Sequence, residues 1–297
     1  MTTKKIERKK MLLNKDAVGK TYPRQVFPIT EEAAQAYARA YNENNPWFFD
    51  KSRKEGIVIP PMYGVAYSWS AMTQAISDET LGVTPEALLR VVHGEQDMRF
   101  HEWVRPGDQV EVEGFIQGIE EKSSGEILVV GSRSFRNGKL VQETFSPLFF
   151  RAPKKDKKSG SETSPVEEPK KPRILTKEQK IDEDQTQRYA EASGDQNPIH
   201  LYDEVAQMAG LPMRIVHGLC TMAFTSKVII DHLCDGDPRR LKRLSVRFSK
   251  PVFPGQTIRT EIWKEGEKEG RKVYGYETYN PEGIPVIKNG IAEMTPL

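Results

Sequence analysis

The chain carries the same order of local signals twice, 152 positions apart, and that internal repeat limits its possible folds more than any other feature. Each copy opens with a helix signal. Thr30 can cap ITEEAAQAYARAY, with Glu31 and Glu32 in the first turn, and Asp182 can cap EDQTQRYAEAS. Each helix runs into an Asn-Pro loop, and the offset of 152 holds at both Tyr37/Tyr189 and Asn45/Asn197. A second helix is expected after Gly64 and after Gly218. The later one places Leu219, Met222, Ala223, Ile229, Ile230 and Leu233 on one apolar stripe.

Both copies then switch to period-two patterns. In the first copy, strands are expected over Asp97–Trp103, Gln109–Ile119, Glu126–Arg136 and Lys139–Arg151, with an Asn137-Gly138 hairpin signal. In the second they fall over Leu244–Lys250, Gln256–Glu265, Arg271–Asn280 and Ile284–Met294, with Pro281-Glu282-Gly283 as a turn. Short consecutive hairpins do not suit a parallel sheet built from crossover helices. The expected class is α+β: a long apolar helix wrapped by an antiparallel sheet, given twice.

Between the copies, RAPKKDKKSGSETSPVEEPKKPR holds eight bases, four acids and four prolines in 23 residues, with no aromatic, Leu or Ile. Such a segment buries too little apolar surface to offset its ordering entropy. It reads as an exposed tether, with a docking site for an acidic partner as the alternative. The expected division is a first repeat over 1–150, a charged linker over 151–173 and a second repeat over 174–297. Lys plus Arg number 44 against 42 Asp plus Glu, and this near-balance argues against a dedicated nucleic-acid binder. No run approaches the ~18 apolar residues of a membrane span, and the basic start lacks an apolar signal core. Cys220 and Cys234 make no CxxC pair, so neither a disulfide framework nor a cysteine-rich zinc site is expected. A soluble cytoplasmic protein follows as the expectation.

The chemistry is concentrated in Tyr189-Ala-Glu-Ala-Ser-Gly-Asp-Gln-Asn-Pro-Ile-His200. On one continuous helix, Asp195 and His200 would point in different directions, at ~100° per residue. Asn197-Pro198 breaks the helix and lets both converge on one point. A carboxylate and an imidazole around one water can exchange protons with it near neutral pH. Asn197 could hold Asp195 or its loop. Taken locally, the same residues also read as helix-end polar groups and a partly buried histidine. His217 reads equally as a structural hydrogen-bonding group. The histidines lack the spacing of a zinc motif, so no metal is expected, and no GxGxxG marks a dinucleotide.

The whole string from Tyr189 to His200, with Ile215-Val-His-Gly-Leu-Cys-Thr221 downstream, resembles the signature of MaoC-like, type-2 enoyl-CoA hydratases. The first repeat resembles the degenerate N-terminal unit of two-repeat members, including Pro60-Pro61-Met62-Tyr63-Gly64. The resemblance covers nearly the whole chain apart from the linker and the extreme N-terminus. It implies a double hot-dog fold and reversible hydration of a trans-2-enoyl thioester to the (R)-3-hydroxyacyl thioester. Carried over by residue, it makes Asp195 and His200 the catalytic pair, with Asn197 orienting them. Gly218 supplies a backbone N–H to the thioester carbonyl, and Ser226 lines the site or packs beneath the sheet. Coenzyme A or an acyl-carrier pantetheine enters only as part of the substrate, with Arg247 and Lys250 expected near its phosphates unless they form a solvated face. A homodimer is expected, and a partner subunit remains open.

In the first repeat, Glu43 stands in the place of Asp195 and Phe48 in that of His200. One active site per chain is therefore expected, with Trp47, Phe48, Phe49 and Trp69 shaping an acyl pocket or packing in the core. Two other functions stay open: a hot-dog thioesterase, and a non-catalytic acyl-thioester-binding or scaffold subunit.

Overall fold

The computed structural model describes residues 13–88, 91–152 and 171–296. Its first repeat runs β1 (Gln25–Pro28), α1 (Glu31–Arg39), α2 (Pro46–Phe49), α3 (Gly64–Ile76), α4 (Pro85–Leu88), β2 (Val91–His93), β3 (Glu95–Phe100), β4 (Gln109–Lys122), β5 (Gly125–Arg136) and β6 (Lys139–Arg151). The second runs β7 (Leu175–Lys180), α5 (Gln185–Ser193), α6 (Asp203–Met208), α7 (Gly218–Leu233), β8 (Leu241–Phe248), β9 (Thr257–Lys268), β10 (Arg271–Tyr279) and β11 (Pro285–Met294). The local signals explain most boundaries. Thr30 Oγ1 accepts from the Ala33 N–H at 3.2 Å, closing the first turn of α1. Asn137 and Gly138 adopt φ of 52° and 75°, the left-handed pair that a two-residue hairpin turn between β5 and β6 requires. Asp182 does not cap α5, which starts later, after Asp184. Its carboxylate is drawn instead to Arg188 at 2.6 Å and Asn42 at 3.0 Å.

The antiparallel strands form one sheet in the order β1-β4-β5-β6-β3-β8-β11-β10-β9-β7, with β2 pairing on β6. The two repeats meet at β3 and β8, where Met98 lies opposite Leu244 and both are fully buried. The sheet curls around α3 and α7, giving the expected double hot dog, but as one continuous surface rather than two separate sheets. The period-two patterns missed β1, β7 and the three-residue β2. Strands β1 and β7 are short edge strands, one ending in Pro28 and the other largely charged and exposed, so neither carries an alternating apolar signal strong enough to read.

The expected linker falls mostly on 153–170, outside the described residues. Its ends are fixed: Arg151 closes β6, and Arg173 pairs with Glu261 of β9 at 3.0 Å and stacks over Trp263.

One apolar cluster runs through both repeats, joining Tyr37, Tyr63 and Met98 to Leu219, Phe224 and Ile262. A second lies wholly in the first repeat, around Leu81, Ile116, Leu128 and Phe150. Helix α7 is buried on nearly every side from Leu219 to Ile230, not along a single stripe, because the sheet wraps one flank and Tyr41 packs edge-on against Phe224 on the other. At the centre, the Tyr37 and Tyr189 hydroxyls meet at 2.9 Å, both fully buried.

Removing one hydroxyl strands the other in an apolar core, whereas removing both leaves no unpaired group. We expect Tyr37→Phe and Tyr189→Phe each to cost about 1–3 kcal/mol, and the double variant to cost clearly less than their sum, in a urea-unfolding double-mutant cycle.

Candidate functional site

The site is built where α5 ends. Gly194, at φ 80°, terminates the helix in a left-handed conformation and donates its N–H to the Ala190 carbonyl at 3.0 Å. Asp195 follows, its Oδ1 accepting the Asn197 N–H at 3.1 Å. The Asn197 side chain then accepts the Ile199 N–H at 3.3 Å and caps a single tight turn, Pro198–His200. Asn197 therefore holds Asp195 through its backbone, while its side chain starts the turn that brings His200 round. The sequence expectation that the Asn-Pro break lets the two groups converge is met in the geometry. One ligand atom each of Asp195, His200 and His217 lies within 4.8 Å of the others.

Hydrogen bonds set the imidazole tautomers. His200 Nδ1 lies 2.8 Å from the Ile215 carbonyl oxygen, so the proton sits on Nδ1 and Nε2 is left as an acceptor. Burial pushes the His200 pKa below its ordinary value, against the opposing pull of the Ile215 carbonyl and Asp195. His217 is nearly fully buried, and its Nε2–H donates to the Asp195 backbone carbonyl at 3.1 Å. Its ring stacks on His200 with centroids 3.9 Å apart and rests against Tyr189 at 5.0 Å. Burial, reinforced by His200, pulls its pKa down to about 3, so it is neutral at working pH. A carboxylate and two imidazoles are also a metal-ligand set.

Gly218 opens α7 directly after His217, so its N–H is among the helix-terminal amides without an intrahelical partner. A Cβ there would come within 3.2 Å of the Phe248 ring, so glycine keeps this approach open. Ser226 lies two turns further on. It is fully buried, and its hydroxyl donates to the Ala223 carbonyl at 3.0 Å; no contact ties it to Asp195 or His200. Arg247 is 60% exposed and reaches Glu95 only at 3.8 Å. Lys250 is exposed, with no ion-pair partner among the described residues.

A narrow cleft runs from Leu219, next to Gly218, between α3 and the first-repeat sheet. Of the four aromatics expected to shape an acyl pocket, only Trp69 lines it. Trp47, Phe48 and Phe49 cluster instead around Val58, with Arg53 and Arg239 stacked on Trp47 at 3.7 and 4.0 Å. Sequence reasoning missed His93, which the first repeat brings to the cleft wall, its Nε2 2.9 Å from Gln96 Oε1. His217 makes the structural hydrogen bond expected of it, and that bond holds the Asp195 loop.

Residues 164–283 match the family described as MaoC like domain, and 16–144 match the FAS1-like dehydratase domain region. The 3-hydroxyacyl-thioester dehydratase Y of Mycobacterium tuberculosis is 33% identical, over 70% of this chain and 73% of its own. The probable enoyl-CoA hydratase 2 of Dictyostelium discoideum is 29% identical, over 80% and 81%. Among solved structures, a MaoC-like dehydratase from Phytophthora capsici superposes with a TM-score of 0.77 at 24% identity, covering 95% of this chain and 97% of that one.

The buried neutral imidazoles couple stability to acid. Below about pH 6.5 an unfolded histidine takes up a proton that native His217 refuses until about pH 3, so native stability falls as pH drops through that window. At about pH 5 the His217 contribution is on the order of 2 kcal/mol. We expect the loss of unfolding free energy between about pH 7 and about pH 5 to be shallower in His217→Gln by this amount, measured by urea titration at each pH.

Proposed function

The chain belongs to the MaoC-like dehydratase family, and on that premise we propose that it catalyses the reversible addition of water to a trans-2-enoyl thioester, giving the (R)-3-hydroxyacyl thioester. The observation that carries the reading is the convergence of Asp195 and the free Nε2 of His200 beside the amide end of α7. Relatives named enoyl-CoA hydratase 2 and 3-hydroxyacyl-thioester dehydratase support the same reaction in its two directions.

In this account one water sits between Asp195 and His200 Nε2. The pair takes a proton from the water as its oxygen bonds C3. The C2–C3 π electrons move to C2, and the charge is shared with the thioester oxygen. The Gly218 N–H stabilises that oxygen, and the helix dipole favours its negative charge. The proton held by the pair is then delivered to C2, so every atom of the water ends in the product. No covalent enzyme intermediate and no further cofactor is required. His200 must be neutral to accept the proton, and burial favours that form. Asn197 and His217 position Asp195 through the Asn197 N–H and the Asp195 carbonyl. Arg247 and Lys250 lie free enough at the surface to meet the phosphates of coenzyme A or a carrier pantetheine, and Ser226 supports α7 from within.

The first repeat lacks this chemistry because Phe48 cannot carry a proton, so a single pair serves each chain. We expect Asp195→Asn and His200→Gln each to lower kcat by about 10²–10⁴ with the fold retained, followed as loss of enoyl-thioester absorbance. Near-native turnover in either variant overturns the roles assigned here, and release of free thiol by the native protein indicates hydrolysis instead.

A further inference from the structure

Helix α7 belongs to the second repeat, but the wall beside its first residue is held by the first. Phe248 ends β8, and its ring lies 3.2 Å from where a Cβ on Gly218 would stand. The Phe248 N–H donates to the Gly94 carbonyl at 2.9 Å. The neighbouring His93 ring packs edge-on against the Phe248 ring, with centroids 5.6 Å apart and planes at 72°. Gly94 in turn donates its N–H to the Pro147 carbonyl at 3.1 Å. The His93-Gly94 corner between β2 and β3 therefore grips Phe248 by both backbone and ring. At Gly64, the helix-entry glycine of the first repeat, the Gln142 side chain stands in the place of such a ring.

His93 is itself held in place. Its Nε2 lies 2.9 Å from Gln96 Oε1, a carbonyl oxygen, so the proton sits on Nε2 and the ring cannot swing without losing that bond. Ser146 donates to the same oxygen at 2.9 Å, and both Gln96 and Ser146 are buried. Burial pushes the His93 pKa below its ordinary value, while Gln96 and the charge of Asp195 pull the other way. His93 is thus a neutral ring within electrostatic reach of the Asp195 carboxylate, yet among the described residues no hydrogen bond ties it to Asp195 or His200. For packing alone an aliphatic side chain would serve as well, and at no desolvation cost. What the imidazole adds is a flat edge whose orientation a hydrogen bond fixes.

Resting on the hydratase reading above, we propose that His93 is a positioning residue for the thioester carbonyl: it fixes the Phe248 ring against Gly218, and the ring sets how the substrate oxygen meets the Gly218 N–H. A donor of this kind acts only when it is aimed at the place where charge develops, in a setting that excludes water. The Phe248 ring is the apolar wall next to that amide, and at 3.2 Å from the missing Cβ it has little slack. A displacement of about 1 Å at such a point can cost about 10²-fold in rate. The first repeat thereby takes part in the reaction, although it carries no acid–base pair of its own.

The test measures kcat and KM separately on the full-length chain with trans-2-decenoyl-CoA. We expect His93→Ala to lower kcat by up to about 10²-fold with KM little changed, the pattern of an interaction made in the transition state. His93→Phe restores a ring against Phe248 and should recover much of that rate; Gln96 keeps its bond from Ser146 in both variants. Phe248→Leu removes the ring through which His93 acts, so adding His93→Ala to it should lower kcat no further. Ile116→Val loosens the separate first-repeat cluster and should leave kcat at its native value. If His93→Ala is recovered unfolded, His93→Leu, which fills the space without a flat edge, is held to the same expectation. Native kcat without the ring, no recovery in His93→Phe, a loss confined to KM, or losses that multiply in the double variant each overturn the proposal and leave the hydratase reading standing. Failure of the native chain to hydrate the thioester overturns that reading, and this proposal with it.

Discussion

The Tyr37–Tyr189 hydrogen bond is the contact around which the molecule is organised. These are the same position of the repeat, 152 residues apart, and their hydroxyls face each other at 2.9 Å in a core that admits no water-exposed alternative. Around them α1 and α5 are locked together. Gln185 donates to the Ala40 carbonyl at 2.5 Å, and Arg188 donates at 3.0 Å to both the Arg39 carbonyl and Asn42 Oδ1. Together with the β3–β8 pairing, this fixes the end of α5 relative to the first-repeat sheet. The Asp195 loop hangs directly from that end, and the cleft lies under that sheet. A buried hydrogen bond of ordinary net strength, about 1 kcal/mol, matters here because breaking it from one side costs more than it contributes.

The two repeats keep one backbone device and use it for different ends. Asn45 caps the turn at Pro46 as Asn197 caps that at Pro198, with φ/ψ of −64°/127° and −59°/121°. In the second repeat the turn delivers His200. In the first it delivers Phe48 into a small apolar cluster. Glu43, in the place of Asp195, has no exposed side chain and is tied to Lys227 of α7 at 3.0 Å and to the Asn44 and Asn45 amides. Burial still raises its pKa against the pull of Lys227. Over Gly64, where the second repeat leaves the helix entry accessible, the Gln142 side chain occupies the space a Cβ would need. The positions that form the site in the second repeat hold an ion pair and a packed glutamine in the first, and the Glu43–Lys227 pair joins the repeats.

The duplication, the long helices, the eight main strands and the site motif could be read from sequence because each has a local cause: a cap, a glycine, an alternating strand, an Asn-Pro break. What escaped depends on tertiary placement. The edge strands β1 and β7 carry no apolar alternation. The merging of two sheets into one depends on β3 and β8 meeting, which no local pattern encodes. His93 lies in the other repeat, and no local spacing rule links it to the second-repeat residue Phe248 on which it packs. The aromatic residues beside Phe48 look like pocket lining by composition but go to a separate cluster, because the tight turn after Asn45 points them away from the cleft.

The most direct test of the account is to run the reaction in oxygen-18 water and locate the label. Addition of one water by the Asp195–His200 pair predicts a single labelled oxygen at C3 of an intact thioester, with (R) configuration and no free thiol. Label in a released carboxylate, or an unlabelled enoyl thioester recovered after binding, would contradict it.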